Sequence, residues 1–154
     1  MATDSTLNHD ELYIEGRWTP TADRIDVTDL TDDTTFASVS AATPADAEDA
    51  LAAAQAAEAE MRETTVVQRA EWVTAIADGI EARKAELADV IVREAGKPIS
   101  SARGEVDAAA ERFRRAAEEA RSLKGEYIEG TTEGHEGWRA IVRHEPVGTA
   151  LCIT

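Results

Sequence analysis

The sequence predicts an α/β protein of mostly long helices, with edge strands around them and the first strand of a parallel sheet. Three observations carry that expectation. Between residues 43 and 124 apolar side chains recur at three- and four-residue steps, the period of an α-helix. Short stretches rich in Tyr, Ile, Val and Trp precede and follow that region. Residues 149–154 form an almost continuous apolar run, the pattern of a strand covered on both faces.

Taken in order, residues 1–11 are polar and read as a frayed start. Residues 12–18 read as a short strand and a turn around Gly16. Residues 25–27 and 36–39 are two further short strands, separated by the turn-forming stretch 28–33. Thr43-Pro44-Ala45-Asp46 is a helix start: Thr43 caps, Pro44 suits the first helical position, and Asp46 faces the positive end of the dipole. The helix that follows runs to about Met61, with Leu51 and Ala54 directed toward a core.

A second helix is expected over 66–95, with Val73, Ile76, Ile80, Leu87, Val90 and Ile91 on one stripe. Gly96 and Pro98 stop it, and Lys97 can satisfy its last carbonyls. A third helix runs from about Ser100 to Lys124. Its stripe is formed by Val106, Ala109, Ala110, Phe113, Ala116, Ala117, Ala120 and Leu123. Residues 126–129 form a short strand, Gly130, Gly134 and Gly137 mark a flexible turn, and residues 138–144 alternate as a second strand. Parallel neighbours need crossovers, so the run 149–154 would open a βαβ series. Ligands of open α/β sheets bind beyond the carboxyl ends of their strands, and the sequence stops there. It therefore reads as the front part of a larger protein.

The 154 residues correspond to one ordinary domain. Asp and Glu number 31 against 16 Lys and Arg, and the formal charge of −15 repels phosphate backbones, which argues against nucleic-acid binding. Lys84, Lys97 and Lys124 are the only lysines, and alanine is abundant. An acidic, lysine-poor surface predicts adaptation to high salt, where self-repulsion is screened. No stretch has the length of a membrane span and the first residues lack a secretory pattern, so a cytoplasmic location is expected.

Little chemistry is visible in the residues themselves. Neither G-x-G-x-x-G nor G-x-x-x-x-G-K occurs. His9, His135 and His144 are far apart and read as surface or loop residues, so no metal site is expected. Cys152, between Leu151 and Ile153, reads as a packed and inert thiol.

The order and spacing of several motifs nevertheless resemble the N-terminal part of the NAD(P)-dependent aldehyde dehydrogenase superfamily. They are Tyr13-Ile14-Glu15-Gly16-Arg17-Trp18, Val39-Ser40-Ala41-Ala42-Thr43-Pro44-Ala45-Asp46, Arg69-Ala70-Glu71-Trp72, Glu94-Ala95-Gly96-Lys97-Pro98, Glu145-Pro146-Val147-Gly148 and Cys152-Ile153-Thr154. Ser101-Ala102, Glu105-Val106, Ala116-Ala117-Glu118-Glu119, Gly125-Glu126 and Glu129-Gly130 look most like the non-phosphorylating glyceraldehyde-3-phosphate and lactaldehyde dehydrogenase branch.

The resemblance implies a parent enzyme that oxidises an aldehyde to an acid with NAD or NADP through a cysteine thiohemiacetal. It implies an arm with short strands over 1–42 and a three-helix part of the cofactor domain over 43–125. Oligomerisation strands follow over 126–146, then the first strand of a Rossmann-like sheet over 147–154. Ile153 and Thr154 match the first two positions of a cofactor-contacting motif. Ala108 falls where that branch carries a phosphate-holding arginine, which makes it an uncharged part of the aldehyde tunnel, with Arg103 and Arg112 facing elsewhere. No catalytic residue carries over, because the nucleophile and the general base lie further along in the family. The chain alone is therefore expected to be inactive, its parent a homo-oligomer acting on a small aldehyde. The alternative is a non-catalytic truncated product or an interaction subunit that binds a full-length partner.

Overall fold

The computed structural model describes residues 10–153. The expected frayed start and His9 lie largely outside them. The chain opens with a hairpin, β1 (Leu12–Ile14) against β2 (Arg17–Thr19). Its turn residues Glu15 and Gly16 both have positive φ, 52° and 76°, as the mirror-image hairpin turn requires. The stretch expected as strand and turn is thus a complete two-stranded unit, with Tyr13 and Trp18 paired across it at 4.9 Å between ring centroids.

A second hairpin follows, β3 (Arg24–Asp29) against β4 (Thr34–Ser40), with a bulge between Val27 and Thr28. Both strands are longer than the sequence indicates, because the ladder extends through Arg24 and Ser40. Ser40 N–H donates to the Asp10 carbonyl at 2.8 Å and Ala41 N–H to the Asp23 carbonyl at 2.9 Å, which fixes the lead into the helices.

Helix α1 (Pro44–Glu63) starts as its sequence dictates. Asp46 N–H donates to Thr43 Oγ1 at 3.3 Å, and Thr43 N–H donates back to Asp46 Oδ2 at 2.7 Å, a reciprocal capping box. The Thr43 hydroxyl, which also donates to Asp46 Oδ2 at 2.7 Å, and then the Thr43 N–H hold the Asp46 carboxyl below its usual range. The helix nevertheless buries no residue, and both Leu51 and Ala54 are exposed. Their expected core contact is not made: among the described residues the buried core is shared by other helices, and α1 approaches chiefly β1.

Helix α2 (Val66–Ala82) has a second capping box, Thr65 with Gln68. The expected continuous helix over 66–95 is two helices. It breaks at Arg83, whose φ of −102° and ψ of 17° leave the helical region, and α3 (Lys84–Ala95) continues from there. The break lets α2 and α3 each lie against α4 (Ile99–Ser122). Ala88 of α3 packs with Ala102 and Val106 of α4, flanked by Ile80, Leu87, Ile91 and Val92.

Alanine dominates the buried positions: Ala70 and Ala77 of α2, Ala88 of α3, and Ala102, Ala110 and Ala117 of α4. Small side chains let helix axes approach closely, and that preference moves the buried stripe of α2 one residue from Ile76, which is exposed, to Ala77. Phe113 and Leu123, expected on the buried stripe of α4, are exposed as well. Gly96 ends α3 in the left-handed conformation, φ 63°, and donates its N–H to the Val92 carbonyl at 2.9 Å. Lys97 does not serve the helix end as expected; its Nζ lies 2.6 Å from Glu105 Oε1 and ties the α3–α4 connection to α4.

The last hairpin is β5 (Glu126–Glu129) against β6 (Arg139–Val142), in the register Tyr127 opposite Ile141 and Glu129 opposite Arg139. All eight strand residues are exposed, so the ribbon stands clear of the helices. No helix among the described residues is long and apolar enough to cross a membrane.

Candidate functional site

Residues 143–153 follow β6 and carry no regular secondary structure. The sequence predicts that the apolar run 149–154 is a strand buried on both faces, with residues 147–154 forming the first strand of a sheet. Instead Val147 is 98 % exposed, Leu151 86 % and Ile153 88 %, because among the described residues no strand lies beside them. Cys152 is likewise exposed rather than packed. Thr154 lies outside the described residues.

One wall of a groove of about 790 Å³ is formed by residues 143–150 without Val147; the other comes from the end of α1 and the start of α2. Arg62 at the end of α1 is paired with Glu58 one turn earlier, at 2.8 Å. Arg69 donates to the Thr64 carbonyl at 2.6 Å and to Thr64 Oγ1 at 3.0 Å, which clamps the α1–α2 junction. Arg143, His144, Glu145 and Thr149 supply the polar groups of the opposite wall. The groove contains no thiol, and its carboxylates are Glu58, tied to Arg62, and Glu145. It presents charge, not a nucleophile with a base.

Ala108 sits half-buried in the middle of α4. It is two residues from both Val106 and Ala110, which places it on the flank away from the buried stripe. Neither Ala108 nor Ile153 lines the groove, so the two site residues read from sequence are not brought into one pocket by the described residues. Arg112 is exposed one helical turn from Ala108, on the same side. Of its neighbours, Arg114 reaches back to Asp78 at 3.1 Å and to Glu81, and Arg115 pairs with Glu111. The Asp78 and Glu81 carboxylates push the Arg114 guanidinium above its ordinary range, Glu81 foremost.

The sequence carries no mark of the most enclosed charge among the described residues. Asp29, at the end of β3, is buried and accepts from Arg93 Nε at 2.6 Å, from Thr31 N–H at 2.9 Å and from Thr31 Oγ1 at 2.6 Å. The hydroxyl of Thr31, then Arg93, lower its pKa from 3.8 to about 2. Aspartate four residues before a turn aspartate carries no local signal for a partner 64 residues away. The arrangement is structural: it ties the β3–β4 hairpin to α3.

His135 lies 3.2 Å from Thr132 Oγ1 and packs edge-on against Trp138 in the β5–β6 loop, while His144 faces the groove. Among the described residues no three His, Cys, Asp or Glu side chains converge to hold a metal. Nor do these residues enclose a dinucleotide: Ile153 projects without packed neighbours, and no glycine-rich loop meets a helix start beside it.

Comparison with known proteins places this geometry. Residues 18–154 match the profile of the aldehyde dehydrogenase family. A succinate-semialdehyde dehydrogenase [NADP(+)] of Mycobacterium ulcerans is 40 % identical over 93 residues, covering 60 % of this chain and 20 % of that protein. A D-glyceraldehyde dehydrogenase (NADP(+)) of Thermoplasma acidophilum is 34 % identical over 88 residues, covering 57 % of this chain and 17 % of that protein. The solved structure of aldehyde dehydrogenase 21 from Physcomitrella patens, in complex with succinate, superposes with a TM-score of 0.80 at 29 % identity, over 85 % of this chain and 28 % of its own. The chain thus spans about a fifth of the length of the curated relatives it matches.

Proposed function

Because the chain belongs to the aldehyde dehydrogenase family, we propose that it forms the N-terminal part of an enzyme oxidising an aldehyde to a carboxylic acid with NAD or NADP. The observation that carries this reading is the family match over residues 18–154, in a fold that superposes on a quarter or more of a solved member. The chemistry is attack of a cysteine thiolate on the aldehyde carbonyl, giving a thiohemiacetal. Cys152 is not that nucleophile; the family resemblance places the nucleophile and the general base further along the parent enzyme. NAD or NADP, when bound, would accept the hydride and leave a thioester, and water would hydrolyse that thioester, releasing the acid and the thiolate.

Within this reading, residues 1–42 are an arm, 43–125 the helical part of the cofactor domain, 126–146 oligomerisation strands, and 147–154 a strand of the cofactor sheet. The exposure of Val147, Leu151 and Ile153 supports the last assignment, since an uncharged run of this kind is the pattern of a strand covered on both faces. Ile153 and Thr154 then contact the cofactor through their backbone. The exposed ribbon β5–β6 supports a homo-oligomer, because it offers free edges for pairing. Ala108 lines an uncharged part of the aldehyde tunnel, and the residues from Ser101 to Gly130 favour the glyceraldehyde-3-phosphate and lactaldehyde branch. The acidic, lysine-poor composition supports a salt-adapted protein.

Two assays test the proposal. The chain alone, in molar salt with NAD or NADP and short aldehydes, should produce no reduced nicotinamide. A chimera in which residues 18–154 replace the matching segment of the mycobacterial relative should fold and reduce NADP with succinate semialdehyde. Turnover by the chain alone, or a folded chimera without turnover, would contradict it.

A further inference from the structure

We draw no further inference here: the strongest candidate, the groove of about 790 Å³ between the α1–α2 junction and residues 143–150, has Arg62 and Arg69 already committed to Glu58 and Thr64, and nothing in the structure shows what covers its exposed wall.

Discussion

Arg93 Nε donates to Asp29 Oδ2 at 2.6 Å, joining α3 to the β3–β4 hairpin across 64 residues of sequence. Around it, Leu30 N–H donates to the Arg93 carbonyl at 2.8 Å, and the Arg93 guanidinium lies 4.2 Å from the centre of the Phe36 ring. A buried carboxylate with this many donors is screened less by salt than the surface pairs of the molecule. Its folded pKa of about 2 lies below its ordinary 3.8, so it contributes stability above about pH 4. That contribution is lost as pH falls through the folded value. Asp29→Asn should lower the melting temperature at pH 7 by several degrees, and the difference from wild type should shrink between pH 4 and pH 2. A constant difference across that window would refute the pairing.

The start of α1 rests on its cap, since the helix buries none of its residues. Thr43→Ala removes the acceptor for Asp46 N–H and should cost about 1 kcal/mol locally. The loss should appear as faster amide exchange in the first turns of α1, with the global melting temperature almost unchanged. Unaltered exchange there would show that the capping box does not hold this helix.

Close helix approach makes the α2–α4 contact sensitive to added volume. Ala77 is fully buried, and Ala77→Leu should destabilise by about 1–3 kcal/mol in denaturant titration. Ile76→Ala, one residue away and exposed, should fall within about 0.5 kcal/mol of wild type. Equal effects at the two positions would place the buried stripe elsewhere.

Carboxylates exceed cations by 15, and much of the positive charge on the helices is already used: Lys84 lies 2.6 Å from Asp107, Lys97 2.6 Å from Glu105, and Arg114 bridges α4 to α2. Such exposed pairs each contribute little, whereas uncompensated repulsion is shared over the whole surface. The melting temperature should therefore rise by several degrees or more between millimolar and molar potassium chloride. A flat or falling curve would contradict salt adaptation.

Local chemistry was readable in the sequence; tertiary chemistry was not. The Thr43 cap, the left-handed Gly96 and the turn at Gly16 follow from what a few adjacent residues can do, and the structure has all three. The break at Arg83 left no trace, because Ala82, Arg83, Lys84 and Ala85 are good helix formers and the bend is imposed by packing on α4. Ranking residues by hydrophobicity favoured Ile76 over Ala77, yet close axes select the smaller side chain. The strand expected over residues 149–154 is not formed by residues 149–153, because a strand needs neighbours to pair with and pack on, and among the described residues there are none. The roles expected for Ala108, Ile153 and Thr154 rest on the family resemblance alone, since local spacing assigns them no chemistry.

Amide hydrogen exchange at residues 149–153 of the isolated chain tests the central claim most directly. Exchange at the rate of an unstructured peptide is the predicted result, the behaviour of a sheet strand without its sheet. Protection comparable to that of the α2–α4 core would mean that these residues already have their partners, and the account would be wrong.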